Sequence, residues 1–142
     1  MQVMIKKLSD KAILPTQGSK EAAGYDLYVT NGGIIRAGET EMFHTDIAMS
    51  IPKGYFGAIF ARSGLSSKMG LRPATCVSVI DSDYTGEIGI PLHNDSECDR
   101  IVYVGERVAQ MIILKCNDVE WVEVEELTET ERGSGGYGSS GK

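Results

Sequence analysis

The chain has 142 residues, 24% of them charged, with a formal net charge of −6. That suits one folded domain with its own core and argues against coating a nucleic-acid backbone, a task for clustered Lys and Arg. No apolar run approaches the roughly 20 residues of a membrane helix, and the start Met1-Gln2-Val3-Met4-Ile5-Lys6-Lys7 lacks the apolar stretch of an export signal.

In chain order, Ala23-Gly24-Tyr25-Asp26-Leu27 places a carboxylate after a Gly-Tyr turn, at a strand end or against a ligand. Phe43, Thr45, Ile47, Met49 and Ile51 alternate with polar or smaller residues and predict a strand with one inward face. Pro52-Lys53-Gly54 signals a turn, and Tyr55 to Ala61 predicts a second strand. Arg62-Ser63-Gly64 follows it. A guanidinium fork, a hydroxyl and a glycine-freed N–H make either a phosphate cradle or an ordinary turn. One short turn of helix is expected around Ser66 to Met69.

Ile80-Asp81 puts a carboxylate at the end of an apolar strand, where partial burial tunes a base. Asp81-Ser82-Asp83 with Gly86 reads as a hairpin turn rather than a metal loop, since the EF-hand pattern does not continue. Ile88, Ile90 and Leu92 alternate again. Val108 to Leu114 is apolar except for Gln110 and predicts a strand buried on both faces, in which Gln110 must find core or ligand partners. Val119 to Val124 alternates with acidic residues. Many short strands divided by Gly, Pro, Asn and Asp predict an all-β sandwich or barrel.

From Arg132 the chain reads R-G-S-G-G-Y-G-S-S-G-K, with almost nothing to enter a core. The expected organisation is therefore a domain over 1–131 and a flexible tail over 132–142. Cys76, Cys98 and Cys116 are odd in number and widely spaced, and His44 and His93 lie far apart. Neither a disulfide framework nor a zinc site is expected; reduced thiols in a cytoplasmic setting are.

Each segment alone admits a purely structural reading. Together, the Ala23–Leu27 segment, R-S-G-L-S-S-K, V-I-D-S-D-Y-T-G, G-E-R-V-A-Q-M and R-G-S-G-G-Y-G-S-S-G resemble, in order and spacing, the five motifs of the trimeric dUTPase family. The match runs from about Ala22 to Gly141. The resemblance implies a jelly-roll-like β-barrel subunit in a homotrimer, with three sites at the interfaces, each drawing on all three chains. It implies Mg²⁺-assisted hydrolysis of dUTP to dUMP and pyrophosphate by water attack on the α-phosphorus, lowering dUTP and supplying dUMP for thymidylate synthesis.

By the same resemblance Asp81 holds the attacking water, and Tyr84 packs under the deoxyribose and excludes a 2′-hydroxyl. The backbone of Thr75 to Ile80, through Thr75, Val79 and Ile80, meets the uracil edge, with a return strand near Gly89. Arg62, Ser63, Gly64 and Gln110 match phosphate-contacting positions, and Asp26 matches one associated with waters around Mg²⁺. No direct protein ligand to the metal is implied. The tail brings Arg132, Ser139 and Ser140 to the terminal phosphates and Tyr137 with Gly138 over the base.

Two positions depart from the family pattern: Thr75 stands where many relatives carry Asn, and Ser78 where many carry Gly. The related dCTP deaminases usually carry Arg-Ser-Ser where this chain has Arg62-Ser63-Gly64 and are usually longer. A non-catalytic nucleotide sensor would not need Asp81, Arg62, Gln110 and Arg132 together.

Overall fold

The alternation in residues 43–51 becomes a long strand, β5 (Thr40–Ser50), with Phe43, Thr45, Ile47 and Met49 buried. It pairs on one side with β1 (Met4–Lys7) and on the other with β9 (Glu87–Asn94), which in turn carries β7 (Leu71–Pro73). The second sheet is built on β11 (Arg107–Lys115), flanked by β3 (Tyr25–Tyr28) and β6 (Tyr55–Ala61). Its edges are β2 (Thr16–Gln17) beside β3 and β8 (Ser78–Ile80) beside β6. A separate pair joins β4 (Gly33–Ile35) to β10 (Arg100–Val102). These ladders are antiparallel. The computed structural model describes residues 1–136, and among them the only α-helix is α1 (Ser63–Met69). The expected all-β, jelly-roll-like architecture is what forms.

One core fills the barrel. Leu27, Val29, Ile35, Phe43, Ile47, Ile59, Ile88, Ile90, Leu92 and Val108 belong to it, each nearly inaccessible to water. Full burial of such side chains stabilises by about 1.5–3 kcal/mol each. Among the described residues the one buried charged residue, Asp26, belongs to the site described below. Among the described residues no helix is long and apolar enough to cross a membrane.

Three details differ from the expected elements. The helix starts at Ser63, three residues before the expected turn, because it follows β6 with only Arg62 between them. Strand β11 is fully buried only over Val108, Ala109 and Met111; Ile112 and Ile113 are half-buried and Leu114 is exposed. Val119 to Val124 forms no strand, although it alternates. A strand needs a ladder partner, and this segment has none among the described residues; Trp121 is 90% exposed and Leu127 86%.

Candidate functional site

Asp26 lies in β3 directly opposite Gln110 in β11, and Gln110 is in turn opposite Phe60 in β6. Side chains of paired residues project from the same sheet face. At the end of β6, Arg62 reaches across β11 and donates from Nε to Asp26 Oδ1 at 2.8 Å and from Nη2 to Oδ2 at 3.4 Å. Its Nη1 donates to the Arg107 carbonyl oxygen at 2.9 Å. Arg107 itself donates from Nη1 to Asp26 Oδ2 at 3.1 Å. Two guanidinium groups thus share the carboxylate of a side chain that is 12% exposed, and the group carries a net charge of +1.

A β-bulge between Arg107 and Ala109 brings Arg107 into this cluster. In regular pairing Arg107 and Gln110 would face opposite sides of the sheet; the extra residue re-aims the arginine. Gln110 Nε2 donates to the Ala61 carbonyl at 2.9 Å. A Cβ on Gly24 would sit 2.5 Å from Gln110 Oε1, so only glycine leaves room for this carboxamide.

Ser63 and Gly64 open α1 beside the same arginine and are exposed. N–H groups in a first helical turn have no intrahelical acceptor. Arg62, Ser63, Gly64, Gln110 and Asp26, inferred separately from sequence, therefore lie together at one end of the second sheet.

Asp81 lies elsewhere. In the β6–β8 ladder Ile80 is opposite Gly57 and Ser78 opposite Ile59. Asp81 therefore follows β8 at the Phe56 end of β6, whereas Arg62 follows its other end. At roughly 3.3 Å per residue, the run from Gly57 to Arg62 separates Asp81 and Arg62 of one chain by roughly 17 Å. Asp81 is exposed and borders an open groove of about 700 Å³, with Tyr55, Phe56 and Asp83 among its walls.

Beyond Asp81 the chain turns, and the Tyr84 N–H donates to the Asp81 carbonyl at 3.1 Å. The Tyr84 ring folds back so that its hydroxyl donates to the Glu87 carbonyl at 2.8 Å. The residue remains 45% exposed.

Ahead of β8, residues 74–77 form a tight turn. Cys76 has φ +61°, and the Val77 N–H donates to the Thr75 carbonyl at 2.6 Å. The Thr75 and Ser78 hydroxyls, the two departures from the family pattern, are hydrogen-bonded to each other across this turn. Val79 is exposed and Ile80 packs against the core.

The expected return strand near Gly89 is not laddered to β8. Gly89 belongs to β9, whose two sides are taken by β5 and β7, and β8 pairs with β6. The link is instead the Ala74 N–H to the Pro91 carbonyl at 2.8 Å, continuing the β7–β9 ladder toward Gly89.

The stem of this turn is braced by Arg72. It grips both carboxylate oxygens of Asp95 at 2.7 and 3.1 Å and donates to the Pro73 and Ala74 carbonyls. The hydrogen bonds from Arg72 hold the Asp95 carboxyl below its ordinary range, with the nearby charges of Arg72 and His93 adding to the shift. A depressed carboxylate pKa means the pair is lost only as pH falls through that lowered value, so it persists throughout neutral conditions.

Arg132 is exposed and donates from Nε to the Gly135 carbonyl at 2.9 Å, a contact local to its own turn. Tyr137, Gly138, Ser139 and Ser140 lie outside the described residues. Arg107 is the member of the cluster that sequence reasoning missed. It stands inside G-E-R-V-A-Q-M, but only the bulge shows that it turns toward Asp26.

A family model described as dUTPase matches residues 10–141. A deoxyuridine 5′-triphosphate nucleotidohydrolase of Kluyveromyces lactis is 48% identical over 135 residues, covering 94% of this chain and 90% of that protein. The dUTPase of Staphylococcus bacteriophage 80alpha, solved with dUPNHPP, superposes with a TM-score of 0.93 at 32% identity over 99% of each chain. A D95N mutant dUTPase from phage phi11 of S. aureus, whose structure concerns the coordination of a structural Mg(II) ion, superposes with a TM-score of 0.83 at 26% identity. It covers 91% of this chain and all of that one.

Proposed function

This chain belongs to the dUTPase family, and on that premise we propose that it is a dUTP diphosphatase releasing dUMP and pyrophosphate. The observation that carries the reading is the convergence of Arg62, Ser63, Gly64 and Gln110 around Asp26 at one sheet end. An acidic protein must meet a triphosphate with local positive charge, and phosphoryl chemistry asks mainly for positioning and charge neutralisation. Arg107 adds a second cation to that end.

Asp81 orients a water and accepts its proton as the water attacks the α-phosphorus. Tyr84 lies against the deoxyribose, and the backbone of Thr75, Val79 and Ile80, together with that of Gly89 on β9, meets the uracil edge. Arg132, Ser139 and Ser140 meet the terminal phosphates, and Tyr137 with Gly138 covers the base. On this reading residues 1–131 form the domain and 132–142 serve as the active-site strap.

Asp26 suits a place near Mg²⁺ but not direct ligation. A carboxylate offers about four lone-pair positions, and three already accept N–H groups from Arg62 and Arg107. The remaining lone-pair position can accept a hydrogen bond from a water, and Mg²⁺ ordinarily retains several waters. When bound with substrate, Mg²⁺ supplies neutralisation of the phosphate oxygens. The three free, exposed cysteines suit a reducing, cytoplasmic setting.

The assembly proposed is a homotrimer. The roughly 17 Å between Asp81 and Arg62 of one chain supports it, since a water held by one cannot attack a phosphate held by the other. The uncovered apolar residues Trp121 and Leu127 suit burial by a neighbouring copy. Light scattering should give three times the chain mass of 15.4 kDa; a stable, fully active monomer would rule out shared sites.

The reaction is tested by assaying dUTP, UTP, dTTP, dCTP and dUDP for phosphate products. Pyrophosphate from dUTP is expected, with kcat/KM about 10²-fold above that for UTP, a difference a close-fitting apolar surface achieves against an added hydroxyl. Ammonia release from dCTP would instead identify a deaminase.

A further inference from the structure

Tyr84 is placed by its neighbours rather than by its own packing. The residue is 45% exposed and outside the core, so its ring needs some other restraint to act as a fixed surface. Two contacts supply one. The hydroxyl donates to the Glu87 carbonyl at 2.8 Å. The ring also lies over the bare α-carbon of Gly86: a Cβ there would stand 2.6 Å from the Tyr84 hydroxyl oxygen, 2.7 Å from Cζ and 3.0 Å from Cε2.

The accepting residue is itself fixed from the opposite side. Glu87 opens β9 opposite Ala48, at the irregular stretch of β5 between His44 and Ala48. Within that stretch Asp46 has φ +50°, and its N–H donates to Glu87 Oε1 at 3.1 Å. His44 Nδ1 lies 3.1 Å from Glu87 Oε2. The Ser9 hydroxyl donates to Asp46 Oδ2 at 2.6 Å and ties the N-terminal segment to the same bulge.

We propose that Gly86 is a specificity-determining position. Its missing side chain lets the Tyr84 ring dock on the Glu87 carbonyl, and this docking sets the surface that tells deoxyribose from ribose. The inference rests on the proposed role of Tyr84 against the sugar and adds what holds the ring there. An added methyl at Gly86 meets the far end of a movable side chain rather than backbone. The ring would swing away while the fold survives.

The experiment compares kcat/KM for dUTP and UTP in the full-length protein, Gly86→Ala, Tyr84→Ala, Tyr84→Phe and the double variant Gly86→Ala/Tyr84→Ala. Thermal melts check folding. Gly86→Ala should narrow the dUTP-to-UTP ratio about tenfold of the roughly 10² available, while the double variant should match Tyr84→Ala alone. That non-additivity identifies an effect acting through the ring. Tyr84→Phe, which loses only the tether to Glu87, should narrow the ratio in the same direction and decides the matter if Gly86→Ala does not fold.

A wild-type ratio in Gly86→Ala, or in Tyr84→Phe where it decides, beside a collapsed ratio in Tyr84→Ala overturns the proposal and leaves the sugar-contact reading standing. A wild-type ratio in Tyr84→Ala overturns both.

Discussion

Asp81→Asn should fold, bind nucleotide and lose turnover by about 10²–10⁴-fold, the usual contribution of a general base. The amide has the shape of the carboxylate but cannot take a proton from water. Asp81 suits this comparison because it is exposed at the end of β8 and its carboxylate makes no hydrogen bond within the chain among the described residues. The local turn is held by its backbone carbonyl, which the substitution leaves in place. Stability should therefore be nearly unchanged, as for most surface substitutions away from special features. Pyrophosphate release and equilibrium binding of a non-hydrolysed dUTP analogue measure the two halves of the expectation. Wild-type turnover would remove Asp81 as the base.

Deleting residues 132–142 should leave folding and assembly intact and cut turnover by about 10²-fold or more, the scale associated with one lost charge-stabilising group. Arg132 to Gly136 contribute nothing to the core, and the one side-chain hydrogen bond of Arg132 is local. The deletion removes the guanidinium expected at the terminal phosphates, the aromatic ring expected over the base and the Ser139 and Ser140 hydroxyls expected at the phosphates. Ordering such a segment costs roughly 1–2 kcal/mol for each residue fixed. On the proposed reading its contacts would offset that cost only while triphosphate is present, so closure would also time product release. The truncated and full-length proteins would be assayed side by side with thermal melts. A truncated protein with normal melting and full kcat/KM would make the tail a passive end.

Much of the barrel was legible because alternation reports burial directly. Tyr55 to Ala61 becomes β6 with the expected bounds, and Phe43, Thr45, Ile47 and Met49 face inward as the pattern requires. Arg62-Ser63-Gly64 likewise marked the end of that strand, although the helix that starts at Ser63 was expected only from Ser66.

The rest depends on non-local geometry. The bulge that turns Arg107 onto Asp26 is a property of pairing between strands about 80 residues apart and has no local signature. Gly24 reads as a turn glycine, yet its importance is the space it leaves for Gln110. Thr75 and Ser78 read as two separate departures until their hydroxyls are seen to bond. Val119 to Val124 shows the opposite failure. Its pattern is that of a strand, but a pattern cannot supply the edge to pair with.

The separation of Asp81 from Arg62 along β6 bears on how the protein behaves at low abundance. When the two halves of a site belong to different copies, the active species is governed by mass action rather than by the fraction of chains that are folded. Dilution below the dissociation constant would leave native, intact chains with no complete site, and specific activity would become a function of total protein. Scarcity alone would then act as an off state that reverses on concentration, with no inhibitor and no loss of fold.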